Sequence, residues 1–389
     1  MKALSIKVMA TYDIAMVEGI DIKKIFSQDN VENITTTLGL TRKLKQHKTN
    51  KYTVVKYIKQ ELSDERIRTR GLFRSIISKD DKVVVFAPPK GLKYEDFSKV
   101  YPLNDCIVEE YIEGTMINLF FDGDWEIATR SNVGGNYNFL SRNHEFTFRR
   151  MFLEACNETG LEFDSLDKEL CYCFVLQHPQ NRIVVQFDKP TLYLVSCYKI
   201  DNQQLKVDYI DPVTQSTCVP LARKYNFDTF EDIQQYYTVK EQSYLGVGLM
   251  IHHIPTGSRT KVRNPAYEHV RRLRGNQSND LYRYLELRFN GLVTDYLVFY
   301  SEETESFHRY RKRVERFTGA LYNCYVETFI KKKQNIIDLP LVMQSHVYKL
   351  HNHYRDVLRD KGKIITKHEV INYVNNIPPW QLYSTLKTN

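Results

Sequence analysis

The 389-residue sequence has no Cys-x-x-Cys pair, only 2 Trp, and few backbone punctuators, with 16 Gly and 12 Pro. So little glycine and proline excludes collagen-like and low-complexity chains. A mean hydropathy of −0.46 excludes a polytopic membrane protein. Lys7 and Asp13 break the opening apolar run, so neither a signal peptide nor a membrane anchor is expected there. The 7 cysteines are odd in number and scattered from Cys106 to Cys324, which points to a reduced, intracellular chain that is not secreted. Cys171 and Cys173 share one face of a strand, yet no His or Cys at zinc-finger spacing joins them. His346, His351 and His353 lack acidic or thiol neighbours in sequence and read as a solvated helix surface, so no metal site is predicted.

What the chain does hold is ordinary core-forming content, 42% hydrophobic, over a length that suits two or three domains. Its 27 tyrosines are read chiefly as core. With 55 basic against 47 acidic residues the net charge is +8, which permits an anionic partner, RNA or DNA, without demanding one. The bias toward Tyr, Lys, Asn and Ile is similar to that of proteins of large DNA viruses, where a further reading is a scaffold component of a viral particle or transcription complex, beside a protein partner and cytoplasmic or virion-associated. No membrane partner is expected.

Residues 1–48 show no clear periodicity beyond a lysine-rich stretch, Thr41 to Lys48, and read as an N-terminal extension. From 49 to 275, β-favouring runs recur: 82–86, 115–121, 125–129, 171–176, 182–187 and 192–195. Asp122-Gly123-Asp124 predicts a hairpin turn, and 146–158 a helix between strands. This domain is expected to be α+β with mostly antiparallel sheets. From 276 to 389 the period becomes helical, with stripes such as Leu281, Leu285, Phe289 and Phe307, Tyr310, Val314. Thr366 and Glu369 predict a capping box, and the C-terminal domain is expected to be all-α.

Four segments in the α+β domain combine chemistry with order. They are Thr69-Arg-Gly-Leu-Phe-Arg74 with Pro88-Pro-Lys-Gly-Leu-Lys93; Glu109-Glu-Tyr-Ile-Glu-Gly-Thr115; Phe174-Val-Leu-Gln-His-Pro-Gln-Asn-Arg-Ile-Val184; and Gly246-Val-Gly-Leu-Met-Ile251 leading to Arg259-Thr-Lys-Val-Arg263. In this order they resemble the nucleotidyltransferase motifs of phage-type ATP-dependent RNA ligases. In that family a lysine amine attacks the α-phosphate of ATP, and the resulting lysyl-AMP passes to an RNA 5′-phosphate. The resemblance implies a nucleotidyltransferase domain over 49–275; the helical domain carries no specific motif.

The resemblance fails at its chemical centre. Tyr111 stands at the nucleophile position, beside a retained Glu113, and tyrosine is a poor substitute for a perturbed amine. Val175 and Val247 stand where the family has carboxylates, which removes oxygen ligands from a metal site. The cations persist: Arg70, Lys90, Arg130, Lys261 and Arg263 resemble phosphate-binding residues. Arg271 and Arg274, three apart on a helix face, are read as extending a nucleic-acid track. The implied function is a degenerate RNA ligase, a nucleotide- or nucleic-acid-binding pseudoenzyme. The enzymatic alternative is a ligase using another amine, Lys59, Lys90 or Lys93; ATP and magnesium are implied as cofactors only in that case.

Overall fold

The computed structural model describes residues 7–17, 19–26, 38–138, 145–215, 218–237 and 243–387. Backbone contacts divide the chain into two compact units, 1–269 and 270–389.

The first unit holds all fifteen strands of the described residues: β1 (Val8–Asp13), β2 (Leu40–His47), β3 (Asn50–Tyr57), β4 (Ile76–Lys79), β5 (Lys82–Phe86), β6 (Cys106–Glu110), β7 (Thr115–Phe121), β8 (Trp125–Thr129), β9 (Asn132–Val133), β10 (Leu170–Gln177), β11 (Thr191–Asp201), β12 (Lys206–Ile210), β13 (Lys224–Tyr225), β14 (Gly248–His253) and β15 (Arg259–Arg263). They form a seven-stranded sheet, β1-β12-β11-β10-β7-β8-β9, and two four-stranded sheets, β2-β3-β4-β5 and β13-β6-β14-β15. Every ladder between them is antiparallel. The expected α+β class with antiparallel sheets is what the chain adopts.

Strand alternation builds the layers. On β10, Cys171 and Cys173 enter a core shared with Tyr52, Val54, Ile77 and Val85 of the β2–β5 sheet. Tyr172, Phe174 and Leu176 point the other way, onto Met151, Phe152 and Ala155 of the helix Phe148–Thr159. That helix begins where Thr147 accepts the Arg150 N–H and ends at Gly160 in the left-handed region.

Two sequence readings are corrected here. The described residues of 1–48 are built into the sheets and not appended to them: β1 is the edge strand of the seven-stranded sheet, paired with β12, and β2 pairs with β3 along its whole length. Both carry mixed burial patterns that sequence periodicity does not reveal. Residues 182–187 form no strand. The segment is a loop after a short 3-10 turn at Pro179–Asn181, and its backbone is satisfied by a side chain, not by a ladder.

The described residues of the second unit are helical, from Asp280–Phe289 to Pro379–Lys387, around buried Tyr296, Tyr300, Phe307, Phe317 and Leu321. Thr366 accepts the Glu369 N–H at the start of the helix Lys367–Asn375. His346 is not solvated surface. It is 2% exposed, with Nδ1 2.7 Å from the Tyr373 hydroxyl and Nε2 3.1 Å from that of Thr385. His351 stacks on Phe329, centroids 3.8 Å apart, and only His353 is exposed, 3.7 Å from Glu369.

Candidate nucleotide-binding cleft

The β13-β6-β14-β15 sheet presents one apolar face and one charged face, as period-two alternation requires. Val108, Leu249 and Ile251 pack into a core with Phe97 and Ile233. The alternate positions form cross-strand rows: Glu109 opposite Met250 opposite Lys261, and Ile107 opposite His252 opposite Arg259. A third row places Gly248 opposite Arg263, with the Tyr111 N–H donating to the Gly248 carbonyl at 3.0 Å. Gly248 has φ +150°, and a Cβ there would stand 2.1 Å from the Val262 carbonyl oxygen. Only glycine lets β14 approach β15 so closely.

This charged face lines an open cleft of about 420 Å³, a volume in the range of small-ligand sites. Val175 and Met116, partners across β10 and β7, belong to its other wall. Four of the residues expected to bind phosphate line it: Lys90, Arg130, Lys261 and Arg263. Arg70 does not; it lies beside Gly39 and Glu61. Its place is taken by Arg74, four residues on, and Lys59 and Arg259 also line the cleft. Lys59 is one of the alternative amines named from the sequence; Arg74, just before β4, and Arg259, in β15, are cations for which the motif order carries no individual signal.

Electrostatics follow from this crowding. Burial, then Arg263, Arg74, Lys90 and Arg259, push the Lys261 amine down to about 7. Lys261 has no carboxylate within ion-pairing distance among the described residues; its Nζ lies 5.4 Å from the centroid of the Tyr111 ring. Arg74 is lowered to about 10 by burial and then by Arg259. Lys90, lowered by burial and by Arg74, donates to the Gly91 carbonyl at 2.9 Å. Arg259 is anchored by donating to the Pro89 and Pro88 carbonyls at 2.7 and 3.0 Å. Arg263 pairs with Glu268 and also lies over Tyr111, and the Arg130 guanidinium lies 5.2 Å over the Tyr57 ring.

The carboxylates tell the opposite story. Glu113 does not face the cleft: it is 6% exposed and accepts the backbone N–H groups of Val184 and Val185, at 2.7 and 3.1 Å. Only Glu109 and Glu110 line the cleft as acids among the described residues, and Glu109 lies 3.0 Å from His252 Nε2. Val175 lines it with methyl groups, and Val247 is buried. A hard divalent cation asks for several oxygen ligands. This set, opposed by seven basic side chains, does not fit one.

The expected track beyond the cleft is also altered. Arg274 is 5% exposed and donates to the Gln277 carbonyl at 3.3 Å, so its charge is committed inside the second unit. Arg271 is half-buried. Lys93, one of the alternative amines, pairs with Asp64 outside the cleft.

No family model matches the chain. It is 23% identical over 282 residues to an immediate-early protein ICP-46 homolog of Invertebrate iridescent virus 3, covering 69% of this chain and 59% of the relative. It is 24% identical over 102 residues to an RNA ligase of Rhodothermus phage RM378, covering 24% of this chain and 23% of that protein. The chain thus spans less than two thirds of the curated relatives it matches. Among solved structures, an archaeal ATP-dependent RNA ligase aligns with 71% of this chain and 73% of its own, at 12% identity and a TM-score of 0.40. The likeness to RNA ligases carried by the motifs is therefore met again in the sequence comparison.

Proposed function

We propose that the first unit of this ligase-like chain binds a phosphorylated ligand, a nucleotide or the 5′-phosphate end of a nucleic acid, in the cationic cleft, and has lost lysyl-AMP formation at position 111. The observation that carries this reading is the imbalance of the lining: seven basic side chains against two carboxylates around an open volume, with Tyr111 among them. Guanidinium groups give phosphate oxygens a bidentate fork and ammonium groups a point charge, so anion binding needs no nucleophile and no metal. The chemistry of adenylylation needs both more oxygen donors and an amine where the tyrosine stands.

One observation favours a second reading, in which another amine is adenylylated. Lys261 is held near neutrality in the same cleft, and Lys59 and Lys90 line it too. Incubation with radiolabelled ATP and either magnesium or manganese separates the two readings. The binding reading expects retained ATP and no covalent protein–AMP. An adduct abolished by Lys261→Arg overturns it in favour of the second.

A further inference from the structure

Several cations of the main cleft are already held by partners. Arg263 pairs with Glu268, Arg259 donates to the Pro88 and Pro89 carbonyls, and Lys90 donates to that of Gly91. Lys261 and Arg74 differ: both are half-buried, and neither side chain makes an ion pair or a hydrogen bond among the described residues. The two carboxylates of the cleft, Glu109 and Glu110, do not reach Lys261, and Glu109 lies 3.0 Å from His252 Nε2. What faces the Lys261 amine is the Tyr111 ring, with its centroid at 5.4 Å, and a cluster of positive charge.

A lysine near its ordinary value is neutral in only about one molecule in a thousand at pH 7.5. Held down to about 7 by burial and then by Arg263 and Arg74, the Lys261 amine is neutral in most molecules there, and a neutral amine is a nucleophile. The cluster selects which electrophile it retains. A reaction that leaves an anion on the nitrogen turns repulsion from the neighbouring cations into attraction. Carbon dioxide does this: the nitrogen lone pair bonds to carbon, one C–O π pair moves onto oxygen, and an N–H proton leaves to solvent. No oxidant, metal or leaving group is needed. Carbon dioxide is small and uncharged, so the open cleft admits it, and its carbamate product is a planar, carboxylate-like group matched to the fork of the Arg74 guanidinium.

We propose that Lys261 is a carbon dioxide site: its amine reversibly forms a carbamate among the cations of the cleft, and that anion competes with the phosphorylated ligand. The competition rests on the phosphate-binding reading of the cleft; the carbamate itself does not. In the carbamate form the side chain carries a negative charge in place of a positive or neutral one, so the cleft loses attraction for phosphate as carbon dioxide rises.

The test incubates the full chain at pH 7.5 with isotopically labelled bicarbonate as the source of carbon dioxide, traps carbamates by alkylation with a trialkyloxonium salt, and maps the label by mass spectrometry of peptides. The expected result is label at Lys261 well above that at exposed lysines such as Lys59. Label at Lys261 no greater than at those lysines overturns the inference and leaves the phosphate-binding reading standing. Calorimetric titration of ATP in bicarbonate and in chloride at equal ionic strength then reads the competition. Wild-type affinity should fall at least about fivefold in bicarbonate, the effect of changing the sign of one nearby charge at a water-exposed site. Lys261→Arg, which keeps the positive charge and offers no neutral amine, should show no such difference. An equal fall in the variant overturns the competition, because bicarbonate then acts only as a competing ion. Label at Lys261 in a folded protein that binds no ATP in either salt supports the carbamate and overturns the phosphate-binding reading.

Discussion

Lys261 concentrates the character of the cleft in one side chain. With its amine pushed down to about 7, it is roughly half charged at neutral pH, whereas in an unfolded chain it is fully protonated there. Between about 7 and its ordinary value near 10.5 the unfolded chain binds more protons, so this residue makes stability rise with pH across that window. An anion in the cleft reverses the balance, because its charge favours the ammonium form. Binding of ATP at pH 7.5 should therefore take up protons, seen calorimetrically as a binding heat that depends on the buffer's ionisation enthalpy. Lys261→Met should abolish most of that dependence; heat independent of buffer in the wild type would contradict this assignment. Glu113 shows why residue type alone misleads. Sequence order places it beside the nucleophile position, but its carboxylate accepts the backbone N–H groups of Val184 and Val185. Nothing in the sequence distinguishes a carboxylate that meets substrate from one that satisfies a loop. Glu113→Ala should cost about 1–3 kcal/mol in denaturant unfolding, the penalty of leaving buried N–H groups unpaired.

At the scale of elements, the strands most legible in the sequence are those whose alternation is bounded by strong turns. The hairpin of β7 and β8 around Gly123, with φ +75°, is of this kind. β1 and β2 are illegible because their burial is mixed, the partner of β1 lies far along the chain, and β2 is itself lysine-rich. One device that anchors β2 is a buried charge cluster. The Glu126 carboxylate on β8 accepts from His47 Nε2 and from Arg149, each at 2.9 Å, and pairs with Lys48. Its pairs and hydrogen bonds outweigh burial and keep it ionised, below the usual carboxylate range. Glu126→Ala should destabilise the chain by roughly 3 kcal/mol, since it leaves His47 and Arg149 facing one another without their anion. A denaturant midpoint unchanged from wild type would show that the cluster contributes nothing net. The cleft itself was half legible: the motif order located Lys90, Arg130, Lys261 and Arg263. It missed Arg74 and Arg259, whose roles follow from sheet register and from the loop at Pro88–Pro89.

On the scale of the whole molecule, the two units differ in how they use polar groups. The helical unit buries them for structure, with Arg283 donating to Tyr296, Glu303 and Asp280 at 3.0, 3.1 and 2.7 Å. Burial, with Lys349 nearby, holds His346 down at about 4. Because its unfolded value is near 6.5, stability from the neutral ring is complete above that pH and is lost as pH falls toward 4. Thermal unfolding of the chain should show a transition that moves down between pH 7 and pH 5, and His346→Gln should flatten that dependence; an unaltered pH profile in the variant would contradict it. The first unit instead gathers positive charge around an open cleft. The cleft is a local concentration of charge and not the seat of the chain's net charge of +8: residues 1–269 are balanced overall, and the excess falls in residues 270–389. The most direct test is calorimetric titration of ATP into the wild-type chain and Arg74→Glu at low salt. The account predicts saturable one-to-one binding by the wild type, without a covalent adduct, and at least about tenfold weaker binding by the variant. No binding by the folded wild type, or equal affinity in the two proteins, would contradict it.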